Sequence, residues 1–238
     1  MDKMKQTFRY LLKSVKGITV IGFLCILGTL VFTELIFNIT NNYYQAIPSR
    51  HDVTLTAPLE VTAGISALLT GLIFLIVTFK VVLANGISRK TFLVANILVA
   101  CFIAAAYSIF NILLVFVDGL FWPVTLSSQF FFPQIGWPGL WIFQFALYFL
   151  LITAGWFIAL AYYRSSIPLK WMISLSPFVF YGLLKAVDTR LGGAIFRWIN
   201  EYQHASMRME IAPVTLLAYS ILLCGLVYLL IRRAPLKD

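Results

Sequence analysis

Six long apolar runs, separated by short polar segments, organise the chain. A bilayer hydrocarbon core about 30 Å thick needs roughly 20 consecutive apolar residues per helix, and the runs are of about that length. They extend over Ile18 to Phe37, Glu60 to Leu83, Phe92 to Val117, Leu140 to Tyr163, Leu169 to Val187 and Ile211 to Ile231. The pattern predicts an all-α membrane protein in which residues 18–238 form a single domain of six transmembrane helices.

The segment before the first run has a two-sided pattern. Its apolar residues recur at helical spacing and its cations occupy the other side: Met4, Phe8, Leu11, Leu12 and Val15 against Lys5, Arg9, Lys13 and Lys16. This predicts a cytoplasmic amphipathic helix over residues 1–17 that lies along the inner leaflet and turns into the first span at Gly17. The helix serves either membrane insertion or contact with a cytoplasmic partner, and the pattern leaves both open.

Composition and charge agree with a membrane protein and orient it. Of the residues, 61% are hydrophobic and 11% are charged, whereas a soluble domain is about 25% charged. If the N-terminus is inside, 13 of the 18 Lys and Arg residues flank the spans on the cytoplasmic side, as the positive-inside rule requires. We therefore expect a multi-pass protein of the cell membrane with both termini cytoplasmic. The net charge of +9 is explained by orientation, and no nucleic-acid partner is needed.

Two predicted outer loops carry amphipathic or aromatic patterns. The loop from Asp118 to Gly139 is rich in Phe, Trp and Pro, which favours an aromatic belt at the headgroup level. Simple anchoring and contact with a substrate both fit it. The loop from Asp188 to Glu210 has an apolar stripe from Leu191 to Tyr202, which predicts a short extracellular helix between spans five and six.

A possible gate near the outer end rests on three residues. Pro177 should kink the fifth span, and such a kink either reflects packing or lines a path. Glu34 lies near the outer end of the first span, where a carboxylate is often functional but is also stabilised by a cation such as Arg197. Both the ion pair and the gate remain open.

The sequence lacks the groups that would make it an enzyme. It contains no phosphate-binding loop with the pattern G-x-x-x-x-G-K-[ST], and His51 and His204 lie in predicted outer loops. Cys25, Cys101 and Cys224 lie in apolar runs without metal-ligand spacing. We expect no catalytic site, no metal and no cofactor bound by this chain.

A small polar stretch, ANGISRKTFLVAN at residues 84–96, joins the second and third spans. Gly86 can adopt the left-handed conformation that ends a helix, and Ser88 can cap the start of the next one. Arg89 and Lys90 then fall in the first turn, where cations oppose the helix dipole. Membrane orientation explains such charges, but a rigid tip with exposed cations would also suit docking of a soluble partner.

The residues NGISRKTFLVANIL resemble the G-x-S-R-x-x-F type of cytoplasmic loop in permease subunits of ABC transporters of the ABC-2 (exporter) type. The six spans, the basic N-terminal helix and the outer helical segment are similar to that architecture. The resemblance implies a coupling loop to the ATPase subunit at Gly86, Ser88, Arg89 and Lys90. It also implies a second cytoplasmic contact in YYRSSIPLKW, at Arg164 and Lys170.

By the same resemblance the chain is a permease subunit without a fused ATPase. ATP and Mg²⁺ would bind a separate ATPase subunit, whose motion would reach the spans through the N-terminal helix and the loop at 85–92. A second permease chain, identical or related, and membrane lipid would complete the exporter. Its mostly apolar spans favour an amphipathic or lipidic cargo, such as an antimicrobial peptide, a drug or a lipid. The alternative is an immunity or sensor protein that binds a peptide or lipid without transporting it.

Overall fold

Five long helices form a bundle. The computed structural model describes residues 2–44, 57–118, 136–165, 182, 185–191, 193–194 and 211–232. The helices are α1 (Asp2–Tyr44), α2 (Ala57–Ala84), α3 (Arg89–Asp118), α4 (Trp137–Arg164) and α5 (Ala212–Arg232). Each of the five is long and apolar enough to cross a membrane, and helices and turns are the only regular structure in the described part of the chain.

Most of the predicted spans coincide with these helices. α2, α3, α4 and α5 begin and end within three residues of the second, third, fourth and sixth apolar runs. The agreement follows from the polar and helix-ending residues that flank each run. The predicted fifth span, Leu169 to Val187, lies almost entirely outside the described residues and stays a prediction.

α1 extends beyond the predicted first span, Ile18 to Phe37, at both ends. α1 is a continuous helix of 43 residues, so the turn expected at Gly17 is absent. It also continues to Tyr44, through residues assigned by the sequence to an outer loop beginning at Asn38. Gly17 has no heavy atom near its vacant Cβ position that could force a bend. A single helical glycine costs about 1 kcal/mol, which the flanking turns outweigh in a segment without proline.

The N-terminal segment buries part of its predicted apolar side, although Met4 of that side is exposed. Thr7, Leu11 and Val15 are buried against the bundle, and Leu11 and Val15 belong to its main apolar core. The cations at positions 5, 9, 13 and 16 are exposed on the other side. The buried part of the apolar side is therefore covered by protein. The sequence had predicted that it lies against the inner leaflet.

Two glycines let α2 and α4 cross closely near the middle of their contact. A Cβ added at Gly71 would overlap the carbonyl oxygen of Ile152, and one at Gly155 would lie 2.5 Å from the carbonyl oxygen of Leu68. Backbones thus approach closely at the crossing, as small residues permit in membrane helices. The contact between Glu60 and Gln144 joins one end of the pair, and the rings of Phe79 and Tyr163 meet at the other. α2 and α4 are therefore parallel.

The remaining helices surround this pair. α4 also packs against α3 and α5, whereas α1 packs against α2 and α3. α5 contributes a narrow buried stripe of Ala212, Ser220, Val227 and Ile231. Much of the outward surface of α2, α3 and α5 is apolar, as lipid contact requires.

One end of the bundle collects cationic segments, and we call it the basic end. The start of α1, the turn between α2 and α3, and the ends of α4 and α5 all meet there. α4 and α5 consequently run in the same direction. The chain has to pass from one end of the bundle to the other between them, and the predicted fifth span falls in this interval.

A short helix lies at the end of the predicted fifth span. Residues 185–190 are helical, and the N–H of Gly193 donates to the carbonyl of Asp188 at 2.8 Å. Gly193 has a φ of +78°, a conformation that ends helices and favours glycine. The extracellular helix predicted from the stripe Leu191 to Tyr202 lies almost entirely outside the described residues and stays a prediction.

The glycine crossing leads to the first prediction. Gly155→Ala places a methyl group 2.5 Å from the carbonyl oxygen of Leu68, so the helices must separate. We expect a loss of about 1 to 3 kcal/mol in the free energy of unfolding, measured by denaturant titration in detergent micelles. Gly225→Ala in α5 is the matched control, because its Cβ would enter open space. Equal stability of the two variants would contradict the crossing.

Candidate functional site at the basic end

A tight turn closes α2 at the basic end. The N–H of Asn85 donates to the carbonyl of Val81 at 3.2 Å, and the N–H of Ile87 donates to the carbonyl of Val82 at 3.4 Å. Gly86 lies between them with a φ of +72°. This is the Schellman arrangement, in which a left-handed residue lets the next N–H reach back to the last turn. The predicted role of Gly86 in ending the helix is confirmed.

The start of α3 is capped by a side chain. Ser88 Oγ accepts the N–H of Thr91 at 3.1 Å, and the two hydroxyl groups are 2.8 Å apart. The predicted cap at Ser88 is therefore confirmed. Together the two caps leave only residues 85–88 between the helices, and we call residues 85–90 the hairpin tip.

Arg89 connects the hairpin tip to the end of α5. Its Nη1 donates to the carbonyl of Ile231 at 3.0 Å and also to the carbonyl of Arg232. These carbonyls belong to the last turn of α5, where the backbone has no intrahelical donors and the dipole is negative. A cation that opposes the dipole of α3 is thus stabilised by the opposite pole of α5.

The two cations of the hairpin tip consequently differ. Arg89 is partly buried and directed towards α5, whereas Lys90 is exposed. Of the two interpretations that the sequence left open, orientation in the membrane and docking, the docking one requires both cations to point into the cytoplasm. Lys90 retains that geometry, and Arg89 acts as a clamp within the chain.

A cleft separates the hairpin tip from the first turns of α1. It has a volume of about 270 Å³ and is lined by Gln6, Thr7, Tyr10, Val82, Asn85, Gly86 and Ile87. Hydroxyl and carboxamide groups dominate its α1 side. Lys5 and Arg9 are the neighbours in sequence of Gln6 and Tyr10, and both are exposed. The α1 side of the cleft is therefore polar and borders a cationic surface.

No described atom places the other predicted site residues at the basic end. Arg164 is the last residue of α4, which ends at the basic end, but its side chain lies outside the described part of the structure. Glu34 lies within α1, and its side chain is likewise not described. Lys170, Pro177 and Arg197 lie outside the described residues, so the second contact and the outer gate stay predictions.

Polar side chains also line the interior between α2, α3 and α4. Gln144 Nε2 donates to Glu60 Oε1 at 3.0 Å, Asn111 Nδ2 donates to Tyr148 Oη at 3.1 Å, and the hydroxyls of Thr70 and Tyr107 are 3.2 Å apart. We call these six residues the polar seam. It extends inward from the end opposite the basic end.

Within the described part of the chain, several buried polar side-chain atoms have no hydrogen-bond partner. They are the Oε1 of Gln144, the Oδ1 of Asn111, the Nε1 of Trp156 and both amide atoms of Asn96. An unpaired polar group in an apolar interior costs about 1 to 3 kcal/mol. The bundle interior therefore retains unused hydrogen-bonding capacity, at Asn96 and Asn111 of α3 and at Gln144 and Trp156 of α4.

The sequence interpretation missed both the clamp and the seam. The clamp joins residues 142 positions apart, and no local pattern contains such a pairing. The seam had a signal, because Asn111 and Gln144 stand singly within apolar runs. Polar residues at such depth usually form interhelical hydrogen bonds or carry function.

The helical bundle, its apolar surface and its basic end define the class of a multi-pass membrane protein. Comparisons with protein-family models, curated proteins and solved structures find no match to the chain. No group of three His, Cys, Asp or Glu side chains among the described residues could hold a metal ion. Evidence about function therefore comes from the geometry of the chain itself.

The clamp gives a second prediction. Arg89→Gln removes the charge and shortens the donor, so we expect a loss of about 1 to 2 kcal/mol in the free energy of unfolding. Hydrogen exchange should also accelerate in the last turn of α5. Lys90→Gln is the control, because Lys90 is exposed and its replacement should change stability by less than about 0.5 kcal/mol. Unchanged exchange in α5 with Arg89→Gln would contradict the clamp.

The polar seam gives a third prediction. Tyr148→Phe removes the hydroxyl group that accepts from Asn111 Nδ2. The buried carboxamide of Asn111 then has no hydrogen bond at its nitrogen or at its oxygen. A double-mutant cycle with Asn111→Leu should show a coupling of about 1 kcal/mol in the free energy of unfolding. Additive effects of the two substitutions would mean that the hydrogen bond contributes nothing to the bundle.

Proposed function

We propose that this chain is the permease subunit of an ATP-driven ABC exporter of the ABC-2 type, coupled to a separate ATPase at the hairpin tip. The observation that carries the proposal is the stiffness of the tip. It is capped at both helix ends and clamped to α5 by Arg89. A loop that serves only to orient the chain in the membrane needs the cations, but it does not need this rigidity.

The arrangement of the basic end supports transmission of force. A push on the tip acts on α2 and α3 through the capped turn and on α5 through the clamp. α2 and α5 both pack against α4, so the displacement reaches the centre of the bundle. The first turns of α1 flank the tip across the cleft, which suits the expected second route through the N-terminal helix.

Orientation and cargo follow from the same proposal. The basic end faces the cytoplasm by the positive-inside rule, in the plasma membrane, with ATP and Mg²⁺ held by the partner subunit. A second permease chain completes the pathway. The largely apolar helix surfaces favour an amphipathic or lipidic cargo, such as a peptide, drug or lipid.

The test of this proposal is co-purification of the full chain from its native membrane in mild detergent, followed by an ATPase assay. We expect a stoichiometric soluble ATPase to copurify. Lys90→Glu should weaken that association at least about tenfold, because it places a carboxylate against a surface suited to a cation. Lys185→Glu is the matched control, since Lys185 is an exposed cation of the 185–190 helix.

The outcomes separate the two functional classes. Loss of the ATPase with Lys90→Glu, but not with Lys185→Glu, supports the permease and locates its coupling loop. A chain that purifies alone and without ATP turnover contradicts the permease and favours a non-transporting immunity or sensor protein. Arg89 is left intact in this experiment, because its replacement would also loosen α5.

A further inference from the structure

The exposed side of the first turns of α1 carries a row of cations. Lys5, Arg9, Lys13 and Lys16 recur at spacings of three or four residues and are all exposed, so they lie along one side of the helix. The opposite side is fixed, because Thr7, Leu11 and Val15 are buried in the bundle. The helix cannot rotate to bring these cations onto the protein.

Packing contacts fix the depth of this row relative to α2. Tyr10 and Val82 line the same cleft. Further along, Gly22 and Thr70 both meet the side chain of Tyr107. α1 and α2 are therefore antiparallel here. The twelve-residue interval from Tyr10 to Gly22 runs beside the twelve-residue interval from Val82 to Thr70. At 1.5 Å per residue, Lys13 lies about 4 to 5 Å and Lys16 about 9 Å further into the bundle than Tyr10.

At that depth the exposed surface of α2 is apolar. Ile76 and Val77 are at the level of Lys16, and 48% and 56% of their surfaces are exposed. They fall within the membrane-spanning stretch Leu59–Phe79. A lysine there extends its side chain towards the interface to keep the ammonium near polar groups. In a membrane, the nearest groups of opposite charge are lipid phosphates.

The described part of the chain gives these four cations no ion pair with a carboxylate. A lone lysine can remain hydrated, but several cations spaced along a lipid-facing helix can extend towards the interface and converge on the same headgroup phosphate. The cleft beside Lys5 and Arg9 adds the carboxamides of Gln6 and Asn85 and the half-exposed ring of Tyr10. Such groups suit the polar part of a phospholipid, and tyrosine is typical of the interface.

We infer that Arg9, Lys13 and Lys16, together with the adjoining cleft, bind the headgroup of an anionic phospholipid. The site does not depend on the ATPase proposal, since its three cations face lipid and no ATPase is needed to bind a headgroup. The cleft shares Asn85, Gly86 and Ile87 with the hairpin tip. Bound lipid would hold the first turns of α1 against the end of α2. The acyl chains would cover the apolar surface at Ile76 and Val77.

The test measures lipid retained by the purified full chain, without any ATPase partner. The chain is equilibrated with a mixture of phosphatidylglycerol and phosphatidylcholine, and bound lipid is counted by native mass spectrometry. We expect preferential retention of phosphatidylglycerol. The triple variant Arg9→Gln, Lys13→Gln, Lys16→Gln should lower that preference at least about tenfold, because each cation near an anionic surface contributes a factor of about five.

Two controls keep the result specific. Lys185→Gln with Arg190→Gln removes two exposed cations elsewhere and should leave the preference within about twofold of the unaltered chain. Thermal unfolding in phosphatidylcholine alone should be the same for the triple variant and the unaltered chain, which shows that the variant is folded. If it is not, Lys16→Gln alone replaces it, with an expected loss of about fivefold.

Two results would overturn the inference. One is an equal preference for phosphatidylglycerol in the altered and unaltered chains. The other is stabilisation by an excess of inorganic phosphate that equals stabilisation by phosphatidylglycerol and disappears in the triple variant. That second result would assign the site to free phosphate.

Discussion

The close approach of α2 and α4 is the constraint on which the other helix positions depend. Gly71 and Gly155 let the two backbones touch, and the pair stays in register from the contact of Glu60 with Gln144 to that of Phe79 with Tyr163. In a bilayer, apolar side chains gain little by leaving lipid for protein, so close packing and buried hydrogen bonds must hold helices together. The crossing of α2 and α4 supplies the close packing. It also positions the two helices so that α3 can add buried hydrogen bonds.

The basic end solves an electrostatic problem with a tertiary contact. A cation in the first turn of α3 is unfavourable in an isolated helix. The last carbonyls of α5 are also unfavourable without donors. Bringing the two together through Arg89 satisfies both groups. The consequence is mechanical, because a surface turn becomes continuous with a helix 142 residues away in sequence.

Local features of this fold were predictable from sequence, and distant pairings were not. The bounds of α2, α3, α4 and α5 followed from apolar length, and the caps at Gly86 and Ser88 followed from residue type. The continuity of α1 through Gly17 was missed because a glycine only weakly disfavours a helix and its flanking turns decide the outcome. The direction of Arg89 and the pairing of Asn111 with Tyr148 depend on which helices are neighbours, which periodicity does not contain.

α3 is the helix in which the clamp and the unused hydrogen-bonding capacity meet. It begins at Arg89 and carries both Asn96 and Asn111, whose buried carboxamides have unpaired atoms. Unpaired groups raise the free energy of the present packing, so a small shift or rotation of α3 that gave them partners would recover that cost and offset part of the contacts it breaks. The clamp couples such a shift to α5. A force applied at the hairpin tip therefore acts on the helix whose interior contacts have the most to gain from moving.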